Sequence, residues 1–103
     1  MARNQVVLDG CLVASDTLRH TPAGIPVLQL QLAHASEQTE AGGKRRVECQ
    51  VTALAFAESA LQLARLAPGT ALKLGGFLAQ KSRNSTQLVL HVNKFELIES
   101  IED

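Results

Sequence analysis

Three groups of basic side chains in this 103-residue chain have a type and spacing that suggest shared chemistry. Lys44-Arg45-Arg46 is a contiguous run, Lys81 and Arg83 alternate across a polar stretch, and Arg19 stands beside His20 after the first apolar segment. Lys and Arg arranged along a groove neutralise anions, and the phosphates of a polyanion are their natural counterpart. Other chemistries find no support. His20, His34 and His91 are scattered, with no partner at metal-ligand or triad spacing. Ser82 and Ser85 fall in a polar tip without an oxyanion motif, and Gly42-Gly43 leads into a strand-like segment, not into the helix a phosphate loop needs. Cys11 and Cys49 stand alone, which argues against zinc and reads as two buried core thiols of a reducing compartment. The expectation is a binding protein, not an enzyme, with no metal and no cofactor.

The formal net charge is zero, but its distribution is uneven. All ten basic residues precede residue 96, against six acidic ones, so the body carries about +4. Glu96, Glu99, Glu102 and Asp103 crowd the last eight residues. A mildly basic body with an acidic end suits a modest nucleic-acid binder. No apolar run approaches the roughly 20 residues of a bilayer span, and Met1–Gln5 lacks the pattern of a signal peptide. A cytoplasmic protein without a membrane segment is expected.

The elements that must position these cations follow from periodicity. Residues 5–14 are rich in β-formers, with Gly10 marking a bend. Thr21-Pro22-Ala23-Gly24 is a turn, and Pro26 opens a second strand in which Leu28, Leu30 and Leu32 alternate with Gln29 and Gln31. Residues 36–43 read as a polar loop. Val47, Cys49 and Val51 then form the inward side of a third strand whose outer face is Arg46, Glu48 and Gln50. From Ala53 to Leu66 the period becomes helical, with Ala57, Ala60, Leu61 and Ala64 on one face and Glu58, Gln62 and Arg65 on another. Pro68-Gly69 ends it. Residues 70–79 form a fourth strand bent at Gly75-Gly76, with Leu72, Leu74 and Leu78 inward. A polar hairpin tip at 80–86 carries Lys81 and Arg83, and a fifth strand at 87–98 turns Leu88, Leu90 and Val92 inward.

Three strands, a helix and two strands is the chain order of the OB-fold, an all-β five-stranded Greek-key barrel with one short helix between strands 3 and 4. An α+β sandwich has the same order; the Gly bends favour closure. The predicted organisation is one domain over 1–98 and a short acidic end over 99–103. In such a barrel the loops joining strands one to two and four to five flank the ligand face, which would gather Arg19, Lys44, Arg45, Arg46, Lys81 and Arg83. Exposed rings are the missing feature. There is no Trp or Tyr, and Phe56 and Phe95 are assigned to the core; Phe77, on the face of Lys73, is a candidate stacking platform but is read as core or interface. A binder dominated by phosphate contacts, salt-sensitive and of modest affinity, is predicted.

Several stretches resemble a known family. They are Leu18-Arg19, Thr21-Pro22-Ala23-Gly24-Ile25-Pro26, Leu32-Ala33-His34-Ala35-Ser36, Glu40-Ala41-Gly42, Cys49-Gln50-Val51, Gly76 to Arg83, and Leu88-Val89-Leu90-His91. Together they cover nearly the whole chain, and it resembles the PriB (primosomal replication protein N) family of bacterial single-strand-binding-like proteins. The resemblance implies a homodimeric OB-fold protein that acts in replication restart. Single-stranded DNA, the restart helicase and a further primosome component are the implied partners. It also implies DNA contacts at Lys81, Arg83 and Arg19. Two positions depart from it: Glu48 replaces an aromatic of some members and Ala35 replaces a basic residue, which removes DNA contacts. The alternatives are a general single-stranded-DNA-binding protein, whose long tail this chain lacks, and an OB-fold protein-docking module with little DNA binding.

Overall fold

The computed structural model describes residues 1–99. The remainder of the predicted acidic end, residues 100–103, lies outside the described residues. The elements are β1 (Val6–Ser15), β2 (Arg19–His20), β3 (Pro26–Glu40), β4 (Gly43–Phe56), α1 (Glu58–Leu63), β5 (Ala71–Gln80) and β6 (Leu88–Leu97). The five predicted strands are β1, β3, β4, β5 and β6. The two-residue β2 adds to the start of β3, pairing Arg19 with Val27 and His20 with Pro26.

The strands run β1-β5-β6-β4-β3-β2 through the sheet, and β1 also pairs with β3. That second pairing closes a five-stranded OB barrel. β1 achieves it by serving β5 with residues 6–11 and β3 with residues 11–15, the latter with a register shift between Leu12 and Ala14. Gly10 sits at this crossing: a Cβ there would run into the Ala33 carbonyl oxygen and the Leu32 side chain. Asn4 extends β1 by side-chain mimicry. Its Nδ2 donates to the Leu78 carbonyl (2.8 Å) and its Oδ1 accepts from the Leu78 N–H (3.0 Å).

The core is built of small and branched aliphatics. Leu12, Leu28, Leu30, Leu32, Ala53, Ala55, Leu72, Leu74, Leu90 and Val92 line the barrel, and Ala60 and Leu63 of α1 close one end. Burial of this apolar surface is the main stabilising term. Phe95 packs against the cluster, as expected.

Five sequence expectations are corrected. Residues 36–40 are strand: β3 and β4 stay in register from Val27↔Phe56 to Glu40↔Gly43, so the predicted loop is a hairpin arm projecting past the core. Its two turn residues, Ala41 (φ 53°) and Gly42 (φ 81°), both have positive φ, the left-handed turn that matches strand twist. The helix is shorter than residues 53–66, because 53–56 continue β4. Its inward residues are Ala60, Leu63 and the following Leu66, while Ala57, Leu61 and Ala64 are exposed. Because β4 runs to Phe56, the helix starts only at Glu58, and packing against the barrel end selects its buried face. The cysteines are not core residues. Cys11 is half-buried on the outer side of β1, and Cys49 is exposed where the arm leaves the barrel. Phe56, assigned to the core, is 38% exposed. Leu78 and Leu88, predicted inward, are also exposed.

Candidate nucleic-acid interface

The hairpin arm carries the contiguous basic run, and pairing across the arm neutralises it. Lys44 Nζ lies 3.3 Å from Glu37, Arg45 Nη1 2.9 Å from Glu40, and Arg46 Nε 2.9 Å from Glu48. All six side chains are more than half exposed, so each pair contributes roughly 0–1 kcal/mol and exchanges readily with another anion. The arm nevertheless presents no net charge to an approaching polyanion. Arg19, Lys81 and Arg83 differ: none has a carboxylate within ion-pair distance among the described residues.

Local structure holds these three cations outward. The connection between β2 and β3 is a tight turn in which the Gly24 N–H donates to the Thr21 carbonyl (2.8 Å) and Thr21 N–H to the Ile25 carbonyl (2.9 Å). The Thr21 hydroxyl oxygen also accepts from the Ile25 N–H (3.1 Å). In the β5–β6 tip the Lys81 N–H donates to the Gln87 carbonyl (2.8 Å) and the Ser85 N–H to the Ser82 carbonyl (3.1 Å). The Ser85 hydroxyl oxygen accepts from the Gln87 N–H (3.0 Å). The tip is thus a bonded turn that displays Lys81 and Arg83.

The predicted set does not form one cluster. Arg19 pairs opposite Val27 at the start of β3, whereas Arg46 pairs opposite Glu37 near its end. The strand between those positions spans roughly 33 Å at about 3.3 Å per residue. Lys81 and Arg83 lie toward the arm, because β4 and β6 run parallel (Ala53↔Leu90, Ala55↔Val92) and both hairpins point the same way.

Between β1, β3 and β4 the outer face forms a concavity of about 590 Å³ whose lining includes Cys11, Ala33, Ala35, Arg46, Glu48 and Gln50. Ala33 and Ala35 give it a low floor, and the Glu48 carboxylate is held by Arg46. His34 closes the seam beside it. Its Nδ1 lies 2.8 Å from the Asp9 carbonyl oxygen, and its Nε2 2.8 Å from the Ser36 hydroxyl. A carbonyl only accepts, so in the neutral ring Nδ1 carries the proton and Nε2 accepts from Ser36. The Ser36 oxygen in turn accepts from Gln38 Nε2 (2.9 Å). His34 is a hydrogen-bonded rim histidine.

The feature absent from the sequence reading is a row of rings. His91 lies between Phe56, with ring centroids 5.6 Å apart and planes 23° apart, and Phe77, at 5.0 Å and 21°. The row crosses β4, β6 and β5 on the outer face, and Phe77 is 40% exposed. The signal was present. Phe56 shares the parity of Glu48 and Gln50, the outer positions of β4, but a helix over 53–66 hides that alternation. Among the described residues no group of three or more His, Cys, Asp or Glu could hold a metal ion, and no helix is long and apolar enough to cross a membrane.

The model of another single-strand binding protein family, SSB_1, matches residues 4–94. Replication restart protein PriB of Nitrosomonas europaea is 42% identical over 96 residues, 93% of this chain and 89% of the relative. The three-dimensional structure of PriB from Ralstonia solanacearum superposes with a TM-score of 0.84 at 38% identity, covering 93% of this chain and 98% of that one. The single-stranded DNA binding protein of Thermus aquaticus superposes with a TM-score of 0.76 at 25% identity, covering 94% of this chain but 50% of that one. Sequence similarity along nearly all of both chains and a shared closed barrel place this chain in the PriB family of single-strand-binding-like OB-fold proteins.

Proposed function

We propose that this protein is a non-catalytic primosome accessory factor. In this reading it binds single-stranded DNA and helps assemble the restart complex at stalled replication forks in the cytoplasm. The restart helicase and a further primosome component are its proposed protein partners. It acts as a homodimer, in which the edge of β1 over residues 6–9, unpaired on the side away from β5, and the exposed Val7 are the proposed contact. The observation that carries the DNA reading is the hairpin of Lys81 and Arg83, two exposed cations without carboxylate partners among the described residues. Family membership supports the same reading. Arg19 joins them as a phosphate contact, and Lys44, Arg45 and Arg46 join by exchanging their carboxylates for phosphates.

Binding of a labelled oligo-dT, followed by fluorescence anisotropy at several salt concentrations, tests this. The label belongs on the DNA because the chain has no Trp. Lys81→Ala with Arg83→Ala is expected to weaken binding and to reduce the magnitude of the log–log salt slope by about one to two units. An unchanged slope would remove this hairpin from the interface. A second reading, a protein-docking module with little DNA binding, draws on the neutralised arm; absence of binding at low salt would favour it.

A further inference from the structure

We infer that a trough across β1, β5 and β6, walled by Arg3 and Lys94, is a second phosphate site. It holds the backbone of a single strand of DNA that also engages the Lys81–Arg83 tip. The inference rests on the DNA-binding reading and deepens it.

The trough begins with two glycines. Val7 lies opposite Gly75, and Gly75 opposite Lys94, so one row across three strands has no side chain at its centre. Gly76 pairs with Val92, and the register shift leaves Asn93 without a partner in β5. Such a bulge re-aims side chains, and Asn93 is exposed. The resulting concavity of about 400 Å³ is lined by two cations, Arg3 and Lys94, by carboxamides such as Gln5 and Asn93, and by no carboxylate. Gly75 has no positive φ, so its backbone does not call for glycine. A Cβ there would meet only Lys94, whose Cγ and Cε both lie 3.2 Å away. The missing side chain thus makes room for the Lys94 stem, which lies over β5 in the direction of β1. A glycine inside a strand weakens it, and close approach of a ligand is one reason to keep it.

Arg3 is held at the opposite wall. The next residue, Asn4, is tied to the Leu78 backbone by two hydrogen bonds, which anchor the chain on either side of it. Unlike the cations of the arm, neither Arg3 nor Lys94 has a carboxylate within ion-pair distance among the described residues. A guanidinium and an ammonium on two sides of one gap suit the oxygens of a phosphate, which both bind through charge-assisted hydrogen bonds. Acids begin one row further down the sheet, where Asp9 pairs with Lys73 and Lys73 with Glu96. They repel a polyanion at that end and leave the approach from the tip. Along β5 that approach is about 20 Å from Gly75 to Lys81, at about 3.3 Å per residue. The proposed dimer contact uses the β1 edge away from β5, and the trough lies on the β5 side of that strand.

Oligo-dT binding by anisotropy at several salt concentrations tests the trough with three variants. Arg3→Gln with Lys94→Gln should reduce the magnitude of the log–log salt slope by about 0.7 for each phosphate lost, one or two in all. Gly75→Ala keeps every charge but displaces the Lys94 stem, and it should weaken binding as well. Arg65→Gln removes an exposed cation after α1 and should leave the slope unchanged, which separates a local contact from net charge. In the wild-type protein the backbone amide resonances of Gly75 and Gly76 should shift on addition of oligo-dT, a readout that needs no variant to fold. A wild-type slope in the Arg3/Lys94 variant, an equal loss in Arg65→Gln, or unmoved glycine amides would overturn the trough while the Lys81/Arg83 variant still tests the tip. Binding of a polyglutamate peptide that the Arg3/Lys94 variant loses, with oligo-dT binding kept, would assign the trough to an acidic protein segment instead. Failure of the wild type to bind oligo-dT at low salt would overturn the DNA reading itself and the trough with it.

Discussion

At the scale of single residues, adjacent glycines in β5 have different duties. A Cβ on Gly76 would collide with the backbone carbonyl of His91, which cannot move without breaking the β5–β6 ladder. A Cβ on Gly75 would meet only the Lys94 side chain, at 3.2 Å, and that flexible chain can give way. Gly76→Ala should therefore lose about 1–3 kcal/mol in urea unfolding, and Gly75→Ala well under 1 kcal/mol. Equal costs would show that the two positions share only a bend. The sequence displayed the Gly75-Gly76 pair and implied a bend. It did not reveal which glycine is sterically required, because that depends on the irregularity in the facing strand, where Lys94 pairs with Gly75 and Val92 with Gly76. The ion pairs of Lys44, Arg45 and Arg46 make a similar point: the cations were legible, but their carboxylates depended on a cross-strand register.

At the scale of elements, the β4–α1 junction concentrates local strain. Ala57 adopts φ 59° and ψ −131°, a region that is nearly reserved for glycine, and no side chain caps the helix. Strain of about 1–3 kcal/mol there exceeds the added unfolded-state entropy of glycine, about 0.4–1 kcal/mol. Ala57→Gly should thus stabilise the protein by about 1 kcal/mol, raising Tm by about 4–8 °C in a thermal melt. A lower Tm would mean that the Ala57 methyl makes contacts worth more than the strain. This junction also explains the misplaced helix boundary. Ala and Leu have high helix propensity, yet residues 53–56 complete a β4 ladder with β3 on one side and β6 on the other. Tertiary pairing overrides propensity here. The arm errs in the opposite sense: beyond the core both of its faces meet water, so residues 36–43 lack the alternation that marks a strand.

At the scale of the whole molecule, the proposed dimer is the principal test. With a chain mass of 11.0 kDa, light scattering after size exclusion should report about twice that value at micromolar protein. A strand-disrupting Val7→Pro change at the β1 edge should shift it toward the monomer; a monomeric wild type would overturn the proposal. The architecture itself was readable from the chain: the succession of strands and helix along the sequence, the Leu alternation of β3, the Gly bends and the turn residues are local signals. The cationic residues were equally readable, being named by type alone. Tertiary structure decided which of them lie together. Closing the barrel puts Arg19 and the Lys44–Arg46 run at opposite ends of β3 and aims the two hairpins the same way. It also assembles Phe56, His91 and Phe77 into one row. Those rings come from three strands, one of which joins another in parallel across the sheet, and no sequence period links residues 56, 77 and 91. Periodicity reports which side of its own strand a residue takes; only strand order and register determine its neighbours.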